Sequence, residues 1–267
     1  MKSQTTLNIG NLFGSATATG AVSDDTFELL GINDLGNQIQ NGFGISVDDV
    51  QATEVVLVGG LIDDSGSIRF AGNTQTVRDG HNLVIESLTG AGAKTRDGIL
   101  MTTRYLNGKI LFPFVPIGQA TKMSGSNYDP DGGTPLYDQS VVFLATMMAK
   151  CQEFLDNGVP CRTISLIVTD GADAGSHRQT AKTVAKLVGD MYRAENHIIA
   201  GMGIHDGSTD FGQVFSDMGI LKEWILTPGN SAKDIRAAFH TFSQSAVRAS
   251  QTAASFSQAA GGGFNAP

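Results

Sequence analysis

Residues 55–67 read VVLVGGLIDDSGS, an unbroken apolar run that lands on two aspartates and then a tight Ser-Gly-Ser. A strand with one wet face alternates apolar and polar residues, so a continuous run of this length predicts a strand covered on both sides, as in a parallel sheet. TISLIVTD (163–170) repeats the pattern and ends on Asp170. HIIAGMGI (197–204) is a third such run, followed by His205-Asp206, and WILTP (224–228) is a weaker fourth. Segments of helical period lie between and around these runs, at about 74–88, 136–155, 179–195 and 232–256. GILMTTRYLNGKILFPFV (98–115) holds two strand runs split by Asn107-Gly108, a strong hairpin signal. The expectation is an α/β chain: a mostly parallel six-stranded sheet with one antiparallel edge strand and helices on both faces. Ligands of such sheets sit at the carboxyl ends of the strands, which here carry Asp63, Asp170 and His205-Asp206.

The flanks have a different texture. Residues 1–51 are rich in Gly, Asn, Thr and Ser and are expected to be a largely irregular N-terminal arm that packs on the main domain or pairs with another chain. Residues 52–258 form the expected domain, and the Gly-rich 259–267 a flexible tail. With 18 Lys and Arg against 26 Asp and Glu the net charge is -8, which excludes nucleic acid as an expected partner because no basic patch opposes the repulsion. No apolar run approaches the roughly 20 residues of a membrane helix, and the N-terminal stretch lacks the apolar core of a signal peptide. Cys151 and Cys161 fit a reducing compartment and read as core residues rather than a bridge, so a cytoplasmic location is expected.

The chemistry-bearing residues are Asp63, Ser65 and Ser67 in one loop, Thr134 before the proline at a helix start, and Asp170 at a strand end. Two carboxylates and three hydroxyls, without thiol or imidazole, are the ligand set of a hard divalent cation: Mg²⁺ first, with Mn²⁺ or Ca²⁺ as alternatives. Each residue also has an ordinary reading. Ser65 and Ser67 could cap the next helix, Thr134 could be an N-cap ahead of Pro135, and Asp170-Gly171 could be a plain turn.

DDSGS at 63–67, GGTPLYD at 132–138 and LIVTDG at 166–171 together resemble the von Willebrand factor A family, whose metal-ion-dependent adhesion site (MIDAS) is written D-x-S-x-S, then a distant Thr, then a distant Asp. The resemblance covers about residues 52–258. It implies a Rossmann-like A domain in which Asp63, Ser65, Ser67, Thr134 and Asp170 hold a cation, and a protein partner that completes the ion's shell with an Asp or Glu. It also implies a non-enzymatic role, and in several members a shift of the last helix on ligand capture. The Ser-rich ending is similar to that of bacterial cytoplasmic A-domain proteins of the tellurium-resistance TerY type. The functional expectation is metal-dependent protein–protein interaction. The alternative is a structural protein that forms homo-oligomers through its N-terminal arm and tail, and a third reading is a metal-assisted hydrolase using His177 or His205.

Other motifs carry less. Residues 127–138 place oxygens like a calcium loop but lack the closing Glu and the flanking helix. Residues 90–95 only faintly resemble a phosphate loop, and they precede a strand instead of coming after one.

Overall fold

The computed structural model describes residues 9–30, 33–90, 98–251 and 263–265. Six strands form one sheet: β1 (Val55–Ile62), β2 (Ile99–Tyr105), β3 (Ile110–Pro116), β4 (Cys161–Thr169), β5 (His197–Gly203) and β6 (Ile225–Leu226). Their order is β3-β2-β1-β4-β5-β6. Every neighbouring pair is parallel except β2–β3, so the hairpin supplies the antiparallel edge. Its turn places Gly108 at φ +86°, a region open to glycine and costly for other residues. β1, β2 and β4 are buried along their whole length, which is why their sequences do not alternate.

The helices are α1 (Ile9–Ala18), α2 (Asp24–Leu30), α3 (Asn33–Gln40), α4 (Gly66–Phe70), α5 (Thr74–Thr89), α6 (Leu136–Asp156), α7 (Ala181–Arg193), α8 (Phe211–Asp217) and α9 (Ala232–Gln251). β1 shows how the two faces are filled. Its Gly59 meets Met147 and Phe143 of α6, while Val58, Gly60 and Ile62 share an apolar pocket with His81, Val84, Phe239 and Phe242 of α5 and α9. α9 lies so close to α5 that a Cβ on Gly80 would sit 2.1 Å from the Phe239 ring. Its expected continuation to 256 falls outside the described residues, as does the faint phosphate loop beyond Gly90. Among the described residues no helix is long and apolar enough to cross a membrane. Cys151 and Cys161 are free and buried.

The N-terminal stretch departs from the expected irregular arm, because α1, α2 and α3 occupy much of 9–40. Their sequences contain Gly14, Gly36 and several Asn and Thr, so local propensity is poor. What orders them is packing. Ile9, Phe13 and Ala16 form one buried stripe on α1, and Ser15 Oγ donates to Asp156 at the end of α6 (2.7 Å). The amide and hydroxyl of Ser23, just before α2, both donate to Asp190 Oδ2 of α7 (2.9 and 2.8 Å). The chain then runs along β3, where Phe114 N donates to Gly42 O (3.1 Å) and Ile45 N to Phe114 O (2.9 Å). That contact satisfies the outward backbone groups of Phe114 on an edge strand. The ammonium of Lys150, buried in α6, donates to Ile45 O and to Glu153, and lies 5.2 Å from the Phe43 ring centroid. The tail differs too: Gly263–Asn265 form a 3-10 turn whose Phe264 packs edge-on against Trp224 at 5.2 Å, an aromatic anchor within a glycine-rich sequence.

Two buried histidines make the fold acid-sensitive. Burial pushes His81 down to about 4 and His197 down to about 3, while Thr103 and Thr163 share hydrogen bonds with their rings. Above pH ~6.5 both states leave the imidazoles neutral, so this stability is fully present. It is lost as pH falls from ~6.5 toward the folded values, because only the unfolded chain takes the protons. The loss at pH 5 is about 2 kcal/mol per histidine. Urea unfolding at pH 7 and pH 5 checks this, and His197→Gln should show the smaller pH dependence.

Candidate metal centre

The site grows from the register of the parallel strands. Ile62 pairs with Val168 and Tyr105, and Thr169 with Gly203, so β1, β4 and β5 end level with one another. The residues just past them, Asp63, Asp170 and Ile204, therefore share one rim of the sheet. Asp63 N continues the ladder to Val168 O (3.0 Å), and Ile204 N donates to Thr169 O (2.9 Å).

Asp63 is fully buried and works in two directions. Its Oδ1 accepts the Ser65 amide (2.8 Å), which folds the loop back on itself. Its Oδ2 accepts the Thr169 hydroxyl (2.7 Å) and, at longer range, the Asp170 amide (3.4 Å). Ser65 stands at the N-cap position of α4, yet its side chain makes no capping bond. Instead Ser65 Oγ lies 2.8 Å from Ser67 Oγ, and the Ser67 hydroxyl donates to Asp170 Oδ1 (2.6 Å). Four of the five expected residues thus form one hydrogen-bonded cluster.

Thr134 comes to the same place by another route. Asp64 O accepts the amides of Asp131 and Gly132 (2.9 Å each), and the Gly66 amide donates to Gly132 O (3.1 Å). Ser65 bridges in parallel to Gly132, and Thr134 bridges antiparallel to Ala174 beyond Asp170. The residue at the N-cap of α6 is Pro135, not Thr134. The Thr134 hydroxyl is nearly buried, lies 4.0 Å from where a Cβ on Gly171 would stand, and makes no hydrogen bond among the described residues. The capping readings of both serines' loop and of Thr134 therefore do not describe these side chains.

The electrostatics ask for a cation. Burial raises the Asp63 carboxyl above the usual range, against the hydrogen bonds it accepts. Burial and then the neighbouring Asp63 and Asp206 charges bring Asp170 to about 6, opposed by its bond from Ser67. Asp64 is also brought to about 6, by burial and Asp63. No cationic side chain is among the influences on Asp63 or Asp170. The donor set is oxygen alone, which suits a hard divalent ion and gives a soft one no thiol or imidazole.

The pilus adhesin SpaC from Lactobacillus rhamnosus GG, in its open conformation, is similar to this chain with a TM-score of 0.53 at 14% identity, over 74% of this chain and 30% of SpaC. Proximal thread matrix protein 1 from the mussel byssus, with a zinc-occupied MIDAS motif, is similar at a TM-score of 0.48 and 15% identity, over 74% of this chain and 47% of that one. The SpRpn10 VWA domain is similar at 0.48 and 12%, over 76% of this chain and 97% of that domain. The fold is that of a von Willebrand factor A domain. This chain spans less than half the length of the first two proteins. No family model and no curated protein sequence matches it.

Within this A domain several supports of the site gave no sequence signal. The Tyr128 hydroxyl, kept protonated by burial and by the carboxylates around it, donates to Asp63 O. Arg78 in turn donates to Tyr128 O. Asn107 N, in the hairpin turn, donates to Asp64 Oδ1 (3.0 Å), so the turn is a strut of the site. Asp138, the last position of the calcium-loop reading, is occupied elsewhere: it accepts the amides of His177, Arg178 and Gln179. His177 and His205 are exposed, and their rings make no hydrogen bond to the cluster. Thr169 could have been found, since it directly precedes Asp170 on a strand that ends at the rim.

A buried carboxylate without a counter-ion costs stability. Asp170→Asn should therefore stabilise the metal-free protein at pH 7 by about 1–2 kcal/mol, after allowance for solvent screening. Urea unfolding in chelator measures this, and added Mg²⁺ should stabilise the wild type but not the variant.

Proposed function

We propose that this A domain is a metal-dependent protein-binding module in which Asp63, Ser65, Ser67, Thr134 and Asp170 hold a divalent cation, with Mg²⁺ as the first candidate and Mn²⁺ or Ca²⁺ as alternatives. The observation that carries this reading is the cluster of Ser65 Oγ, Ser67 Oγ and Asp170 Oδ1, backed by the buried Asp63 and with no ion pair to a cationic side chain among the described residues. When bound, such an ion supplies a positive, oxygen-seeking centre to which an Asp or Glu of another protein attaches.

The chain's own residues do the rest. Asp63 fixes the loop through Ser65 N and ties it to β4 through Thr169, which sets the spacing of the donors. The hydroxyls of Ser65, Ser67 and Thr134 contribute oxygen without negative charge, so the pull on an incoming carboxylate is not quenched. A hydroxyl carries one proton and two lone pairs. Ser67 can therefore keep its proton on Asp170 while its lone pairs remain available. The Ser67 hydroxyl does lie against a carboxylate, Asp170, and the role read for that contact is donor positioning for recognition, with no chemical step assigned.

The experiment is calorimetric titration of the chelator-treated protein with Mg²⁺, Mn²⁺ and Ca²⁺, and then affinity capture with and without chelator. Wild type should bind one ion, and Asp63→Ala should lose at least tenfold in affinity (about 1.4 kcal/mol) together with the chelator-sensitive captured proteins. A capture list indifferent to both chelator and substitution would overturn the module reading.

A further inference from the structure

Residues 120–135 run between β3 and α6 with no helix or strand of their own, and near their end stands Thr134, the fifth of the proposed donors. The other four are placed by strand ends and by bonds among themselves. Thr134 instead depends on the path of this segment. Its sequence, rich in Ser, Gly, Asp and Pro, offers little apolar surface to fix that path. One side chain is the exception. Tyr128 is 1% exposed and ranks among the largest fully buried side chains of the molecule.

Tyr128 is anchored before it reaches the site. Its carbonyl accepts Arg78 Nε (3.2 Å) and Nη2 (2.5 Å) from α5, and its ring lies 5.5 Å from that of Tyr105. Its hydroxyl then donates to Asp63 O (2.5 Å). The next carbonyl along, Asp64 O, accepts the amides of Asp131 and Gly132, and the Gly66 amide donates to Gly132 O. Two successive carbonyls of the donor loop therefore carry the segment that delivers Thr134, two residues past Gly132. On its far side Thr134 O accepts the Ala174 amide (2.9 Å). The side-chain tie between Asp131 and Arg69 of α4 is exposed and adds little.

Asp63 does not need the Tyr128 bond to keep its own place. Its amide continues the sheet ladder to Val168 O, and its carboxylate is bound by Ser65, Thr169 and Asp170. What the hydroxyl fixes is the spacing between the two segments. We propose that Tyr128 is a positioning residue of the metal centre, acting through Asp63 O to set Thr134 against the Ser65–Ser67 loop. The proposal rests on the metal reading and deepens it: ion affinity depends on a hydroxyl that is not itself a donor.

The test uses Mn²⁺ as the probe, titrated into the chelator-treated full chain and followed by electron paramagnetic resonance, which reports free ion and the spectrum of bound ion. Tyr128→Phe should bind about fivefold more weakly than wild type, the effect of one lost hydrogen bond. Thr134→Ala should also bind more weakly, and adding Tyr128→Phe to it should cost nothing further. Added to Ser67→Ala, the same change should multiply the loss. The bound-ion spectra of Tyr128→Phe and Thr134→Ala should depart from wild type in the same way. Tyr105→Phe separates positioning from packing, because it removes a hydroxyl bond to the same segment, at Asn127 O (2.9 Å), without touching the donor loop. It should lower the urea midpoint in chelator as Tyr128→Phe does, yet keep wild-type affinity and spectrum. A cooperative urea transition in each variant shows that it folds. Wild-type affinity in Tyr128→Phe, an equal loss in Tyr105→Phe, or losses that multiply with Thr134→Ala would each overturn the positioning role and leave the metal reading standing. A wild type that binds no Mn²⁺ overturns both.

Discussion

A single buried carboxylate holds the upper end of this molecule together. Asp63 sits at the tip of the central strand, out of reach of water, and every polar atom it presents is used by a different segment. One oxygen takes the Ser65 amide, the other takes the Thr169 hydroxyl and the Asp170 amide, and its carbonyl takes the Tyr128 hydroxyl. Burying a charge is tolerable only when it is densely hydrogen-bonded or paired. The hydrogen bonds are present, and among the described residues a cationic side chain paired with this carboxylate is not. The same residue that organises the loops therefore leaves them with a deficit of positive charge.

That deficit could be read from the amino-acid order only in part. The strands were legible because burial on both faces abolishes alternation, and the hairpin because Asn107-Gly108 has few other uses. The cluster was legible because parallel strands of equal length must deliver their next residues to one rim, so Asp63 and Asp170 had to meet. The contacts that keep them there were not legible. Tyr128 and Asn107 act through a backbone carbonyl or amide, and such contacts depend on the path of a loop, which leaves no periodic trace. Phe70 was equally silent. An aromatic residue in a short segment reads as core, and only the placement of α4 at the rim turns its ring outward.

The N-terminal helices fail the sequence reading for a complementary reason. With poor intrinsic propensity and only short apolar stripes, they resemble coil when read alone. Their order comes from partners far along the chain: Asp156, Asp190 and the edge of β3. The contact at β3 has a second consequence. An open edge strand invites pairing with another copy, and the run through Gly42 and Ile45 covers that edge at Phe114.

The proposed metal centre and the surface around it have opposite mechanical characters. The proposed donors are gathered by the chain alone: Ser65, Ser67 and Asp170 already touch, and Asp63 locks the loop to β4. A cluster ordered in this way has little left to order on binding a ligand. The rim is different. Phe70 is almost fully solvated, and the Arg69–Asp131 pair beside it is exposed and so contributes little to folding. A large aromatic ring left in water on a short helix does nothing for the fold.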